Sequence, residues 1–137
     1  MIKRFFSTLL AIVAVASLSA QVDFKSANPV DLYKMGAESG KLVFVDLYAS
    51  WCPPCRTMES QVFSREDVGE FMAKRFVSAK FDIDQQIGGA MASQYGVRSI
   101  PTYLIFNGKG ELVGRMQGGM SAMDFMANLT QIIEQAK

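Results

Sequence analysis

Apolar residues fill positions 42–48 almost without a break, with Leu42, Val43, Phe44, Val45, Leu47 and Tyr48 interrupted only by Asp46. A continuous apolar run of strand length predicts a β-strand buried on both faces. Upstream, Asn28-Pro29 has the form of a helix start, a capping side chain followed by proline at the first helical position. Leu32, Met35 and Gly36 line one face of that helix and Gly40 stops it. After Cys55 the pattern is helical through about Gln61, and Ser64-Arg65-Glu66-Asp67 reads as a capping box that opens a second helical stretch to Arg75. Residues 76–83 return to strand patterning, 87–95 form a short helix stopped by Gly96, and 102–106 form a third buried strand. Asn107-Gly108-Lys109-Gly110 predicts a hairpin turn into a fourth strand, residues 111–117. Ser121, with Asp124 three residues on, caps a last helix whose apolar stripe is Ala122, Phe125, Met126, Leu129, Ile132, Ile133 and Ala136. The order α-β-α-β-α-β-β-α predicts the α/β class. A β-α-β unit followed by a hairpin and a final helix gives a mixed four-stranded sheet with helices on both faces.

The first twenty residues have a different pattern. Lys3 and Arg4 precede an apolar run over residues 5–18, and Ser19-Ala20 follows. This layout predicts a signal peptide over residues 1–20, cut after Ala20, and one mature domain over residues 21–137. Leu18 is larger than the residue usual three positions before such a cut, so an uncleaved membrane anchor is the alternative. The whole chain of 137 residues carries 14 Lys and Arg against 13 Asp and Glu. Loss of Lys3 and Arg4 leaves twelve basic and thirteen acidic residues. Neither balance offers a footprint for nucleic acid. Export would carry the chain out of the reducing cytosol.

Candidate chemistry is narrowed by the absence of histidine, which excludes Ser-His-Asp and Cys-His catalysis and every imidazole metal site within this chain. Acid–base work must then fall to carboxylates, Lys or Tyr. The two cysteines, Cys52 and Cys55, are spaced C-x-x-C and are too few for a four-thiolate zinc or iron–sulfur site, so no metal is expected. Cys52 follows the buried strand and opens a helix, where the dipole and free N–H groups stabilise a thiolate. Cys55 lies one turn later and can reach back to close a small ring, which removes too little unfolded-state entropy to serve as a useful staple. Asp46, inside a buried run, should have its carboxyl pKa raised. The spacing of Met116, Met120 and Met123 fits core packing better than a flexible binding surface.

The stretch Val45-Asp46-Leu47-Tyr48-Ala49-Ser50-Trp51-Cys52-Pro53-Pro54-Cys55 resembles the active-site segment of the thioredoxin superfamily, whose usual motif is W-C-G-P-C. Ala79-Lys80-Phe81-Asp82-Ile83-Asp84 resembles the family's third-strand segment, Tyr95-Gly96-Val97-Arg98-Ser99-Ile100-Pro101-Thr102 its cis-proline loop, and Gly118 the glycine after its last strand. With its extra helical turn, Val62-Phe63-Ser64-Arg65-Glu66-Asp67-Val68 looks more like envelope thioredoxin-like proteins, such as the C-terminal domain of DsbD, than like cytosolic thioredoxin. The resemblance implies a thioredoxin fold, with Cys52 as the attacking thiolate and Cys55 as the resolving thiol. It implies that Asp46 is a general base taking the Cys55 proton through water, with Lys80 near it and tuning it. Pro101 is implied to be a cis proline facing the disulfide and Ile100 to offer backbone groups to an extended substrate. Trp51 is implied to cover the motif and contact partners, with Pro53 and Pro54 in the same substrate-binding surface.

One departure bears on direction. Pro53 stands where the family usually has glycine, and Pro53-Pro54 removes two backbone N–H groups that would otherwise point toward the thiolate. A less acidic Cys52 and a rigid loop both favour the disulfide, hence a reducing couple. Strong oxidases of the superfamily carry His where Pro54 stands here. The reading is an exported, periplasmic thiol–disulfide oxidoreductase that mainly reduces disulfides of client envelope proteins. It would use no cofactor beyond the redox-active Cys52–Cys55 disulfide, act as a monomer, and draw electrons from a membrane thiol carrier. The alternatives are a dithiol oxidase or isomerase, and a non-enzymatic thioredoxin-fold binding module.

Overall fold

The structure, a computed structural model, describes residues 20–137. The signal-peptide expectation therefore lies, apart from Ala20, outside the described residues. In chain order the elements are α1 (Pro29–Ser39), β1 (Leu42–Tyr48), α2 (Pro53–Met58), a π-helical turn (Glu59–Phe63), α3 (Glu66–Arg75), β2 (Phe76–Asp82), α4 (Gln86–Gln94), β3 (Thr102–Phe106), β4 (Leu112–Gln117) and α5 (Ala122–Gln135). The strands form one sheet in the order β2-β1-β3-β4. β1 runs parallel to β2 and antiparallel to β3, and β3 and β4 are antiparallel. This is the mixed four-stranded sheet of a thioredoxin fold.

Local chemistry sets the element ends. The Asn28 side chain accepts the Asp31 N–H at 2.9 Å to open α1, and Gly40, at φ 67°, takes the left-handed conformation that closes it. At the hairpin, the Asn107 side chain accepts the N–H groups of Lys109 and Glu111, each at 3.0 Å.

Strand alternation sorts the core into two halves. Val43, Val45 and Leu47 of β1, with Leu104 and Phe106 of β3, meet Leu32 of α1 and Met91 of α4. Phe44, with Tyr103 and Ile105 of β3, meets Met58, Phe63, Met72, Phe125 and Leu129 on the other face. Asp46 shares the parity of Phe44, so β1 delivers its carboxyl beneath the face covered by α2, α3 and α5.

Three expectations are corrected. Ser64 does not cap α3: the π-helical turn carries helical backbone through Ser64, whose hydroxyl donates to the Ser60 carbonyl at 2.6 Å. Arg65 becomes the N-cap, without a side-chain cap bond, and pairs with Asp67. Ala136 lies past the end of α5 and is exposed, so the buried stripe is Phe125, Leu129 and Ile132. Met123 is 78% exposed, because it precedes Phe125 by two residues and so faces about 200° around the helix from it. Met116 is buried and Met120 packs against the same core.

The periodicity gave no sign of an N-terminal strap. The Val22 N–H donates to the Phe63 carbonyl at 2.9 Å and the Lys25 N–H to the Ser78 carbonyl at 2.7 Å. Phe24 forms a parallel bridge with Ser78, and its ring meets Phe63 edge-on at 5.4 Å. Val22 is buried in the core, and a Cβ on Gly69 of α3 would collide with the Ala20 carbonyl.

Candidate active site

The buried β1 ends at Tyr48, and four residues later Cys52 is the N-cap of α2, at φ −88° and ψ 108°. Proline at the first helical positions suits this geometry, since those N–H groups have no intrahelical partner. Cys52 and Cys55 are joined in a disulfide with Cα atoms 5.3 Å apart. Of the N–H groups that follow Cys52, the first to survive the two prolines is that of Cys55, and it donates to Cys52 Sγ at 3.3 Å. The double proline thus thins the donor set at the sulfur without emptying it. Cys52 Sγ also lies 3.7 Å from the Ile100 carbonyl oxygen.

The Ile100–Pro101 peptide is cis. Its loop is tied down on both sides: the Gly118 N–H donates to the Pro101 carbonyl at 2.8 Å and the Thr102 hydroxyl to the Ser99 carbonyl at 2.7 Å. Around the disulfide, Cys52 and Cys55 are buried while Pro53 and Pro54 are exposed. Trp51 is 60% exposed, and its Nε1–H donates to the Asp84 carboxylate at 2.7 Å, which holds the indole outside the core at the rim of the motif.

Asp46 is 5% exposed and its Oδ1 has no hydrogen-bond partner among the described residues. Burial pushes its carboxyl up to about 7; the Lys80 ammonium opposes that rise and the Glu59 carboxylate adds to it. Lys80 is the β2 register partner of Asp46, yet its Nζ pairs with Glu59 Oε1 at 3.3 Å and rests over the rings of Tyr48 and Phe24. Lys80 therefore acts on Asp46 through its field, with its ion pair made elsewhere. Sequence reasoning missed Glu59. Its signal was the spacing, four residues beyond Cys55 and hence on the same helix face. Asp84 and Tyr103 were missed too; Tyr103 OH is a second buried polar atom with no partner among the described residues. Among the described residues, no cluster of three or more His, Cys, Asp or Glu is gathered for a metal.

A disulfide at a helix start, the Ile100 carbonyl beside its first sulfur and a buried carboxyl pushed up to about 7 are gathered at one end of the sheet. Comparison with known proteins agrees. The thioredoxin-like domain profile matches residues 31–133. A thioredoxin-like protein of Synechocystis is 36% identical over 96 residues, covering 70% of this chain and 86% of that protein. The chain belongs to the thioredoxin-like family. The thiol:disulfide interchange protein DsbD of Tatumella citrea is 31% identical over 122 residues, which are 85% of this chain and only 21% of DsbD. Among solved structures, that of a putative disulphide-isomerase from Bacteroides thetaiotaomicron is 28% identical with a TM-score of 0.76, covering 86% of this chain and 98% of that one. As a member of the thioredoxin-like family, this chain is a thiol–disulfide oxidoreductase whose redox group is the Cys52–Cys55 disulfide itself.

Proposed function

We propose that this protein is exported to the cell-envelope space and works there mainly as a reductant of client-protein disulfides. The Cys52–Cys55 disulfide, set at the end of the strand that buries Asp46 and pushes its carboxyl up to about 7, supports sulfur exchange. The observation that carries the reducing direction is Pro53-Pro54, which withdraws two N–H donors from Cys52. In the reduced protein the Cys52 thiolate attacks one sulfur of a client disulfide. The client S–S bond breaks, its first thiolate leaves and takes a proton from water, and a Cys52–client mixed disulfide forms. Asp46, as carboxylate, then accepts the Cys55 proton through water, and the Cys55 thiolate attacks Cys52 Sγ. The client's second thiolate departs, and two electrons have passed from the dithiol to the client. Trp51, Pro53, Pro54, Ile100 and Pro101 form the surface against which an extended client segment lies, with the Ile100 backbone beside the reacting sulfur. Return to the dithiol proceeds by the same exchange with a dithiol of a membrane thiol carrier.

Support for export is the layout of residues 1–20, with its charged start and apolar run. Envelope-fraction protein should begin at Gln21 by N-terminal mass analysis; retention of residues 1–20 would favour the anchored form. One observation favours a second reading, as oxidant or isomerase: the Cys55 N–H on Cys52 Sγ stabilises a thiolate and so makes the disulfide more oxidising.

The order of attack is tested by trapping. Cys52→Ser should abolish reduction of insulin, whereas Cys55→Ser should accumulate mixed disulfides through Cys52, since the first attack needs one thiol and release needs the second. Mixed disulfides formed through Cys55 would reverse the roles.

A further inference from the structure

Two buried polar atoms with no partner among the described residues, Asp46 Oδ1 and Tyr103 OH, occur at directly paired positions of neighbouring strands. Residues opposite one another in an antiparallel pair project to the same face with Cβ atoms about 5 Å apart. Tyr103 is wholly buried among phenylalanines: its ring stacks on Phe44 at 5.5 Å and meets Phe125 at 5.8 Å and Phe63 at 6.2 Å. Phenylalanine would satisfy that packing equally well, so a hydroxyl left unpaired there costs stability unless the chain uses it.

The groups that face Asp46 narrow the use. β2 brings Lys80, whose ammonium is engaged by Glu59. The π-helical turn brings Glu59, an acceptor like Asp46 itself. α2 carries Cys52 and Cys55, which have no S–H while disulfide-bonded. α5 presents Phe125, Leu129 and Ile132 to this core, and α3 presents Val68 and Met72. β3 brings Tyr103, whose hydroxyl is held protonated across the working pH range because burial and the Asp46 charge both oppose its ionisation.

We propose that Tyr103 is a positioning residue for the redox site: its hydroxyl donates, directly or through one water, to the Asp46 carboxylate and holds it in its charged form. The clamped ring fixes where the hydroxyl sits, so the adjustment falls to the Asp46 side chain or to the bridging water. The proposal deepens the general-base reading above, but concerns the proton affinity of Asp46 and can be measured without turnover.

The test is a carbon-13 NMR titration of the Asp46 carboxyl in the oxidised full chain, with and without Tyr103→Phe, a substitution that keeps the ring and removes only the hydroxyl. The expected result is a midpoint raised by about one pH unit, a tenfold gain in proton affinity. An unmoved or lowered midpoint would overturn the proposal. A second readout needs no variant: the wild-type Tyr103 hydroxyl proton resonance should shift with the Asp46 midpoint, and a resonance constant across it would contradict the proposal. The base role is judged separately, by whether Asp46→Asn removes the pH dependence of turnover. If that dependence survives while the midpoint moves with Tyr103→Phe, the base reading fails and the Tyr103 contact stands.

Discussion

Asp46 is the one residue whose chemistry works against the fold that holds it. An unfolded aspartate titrates at 3.8, and burial raises this carboxyl to about 7. Between those values the folded chain keeps a proton on Asp46 that the unfolded chain has lost, so the contribution of this carboxyl to stability is most favourable in acid and falls as the pH rises through that window. A gap of about three units corresponds to about 4 kcal/mol at its limit. Asp46→Asn should therefore flatten urea stability between pH 4 and pH 8, leave the variant more stable than the parent at pH 8, and slow turnover at pH 7 by about 10²-fold. Loss of stability at pH 8 would make Asp46 an architectural partner of Lys80 instead. The neighbours give a second check with opposite signs: Lys80→Met should raise the Asp46 midpoint and Glu59→Gln should lower it, both read by the same carboxyl titration. That Asp46 is special was legible in the sequence because a single polar residue interrupts an apolar run. The spacing of Glu59 from Cys55 was legible too, but its pairing with Lys80 was not, because that depends on a helix followed past the motif into a π-helical turn.

Elements defined by a single strong signal were readable from the chain. β1 and β3 have the predicted bounds because each is an unbroken apolar run between breakers, and α1 does because Asn28, Pro29 and Gly40 mark both its ends. The failures occur where two signals compete. Ser64 has the composition of a cap, but the core side chains Val62 and Phe63 hold the preceding helix together beyond the point where a cap is needed. The strap at residues 22–25 is too short to show periodicity, and is held by Val22 in the core and by backbone bonds to Phe63 and Ser78. Close backbone packing is equally invisible in a sequence. Gly88 of α4 sits so near the end of β2 that a Cβ there would run into the Asp82 carbonyl. Gly88→Ala gains about 1 kcal/mol of helix propensity, but displaces rigid backbone at a cost of about 1–3 kcal/mol. Net destabilisation should appear in urea melts with the Asp46 midpoint unmoved; a more stable variant would mean that α4 shifts freely on the sheet.

At the scale of the molecule, the fold brings one strand end, one helix start and one proline loop to a single edge, and the chemistry there is sulfur exchange. The direction of that exchange depends on a balance between opposed local effects. Pro53 and Pro54 withdraw two N–H donors from Cys52, which favours the disulfide, while the Cys55 N–H returns one to Cys52 Sγ. A difference of about 30 mV in a two-electron couple is only about 1.4 kcal/mol, so one hydrogen bond of this kind is enough to matter. The direct measurement is redox equilibrium of the Cys52–Cys55 pair against glutathione or dithiothreitol, followed by the fluorescence of Trp51, the sole tryptophan. A reducing role predicts a potential more negative than about −200 mV, whereas a value more positive than about −150 mV would contradict it and identify an oxidant or isomerase.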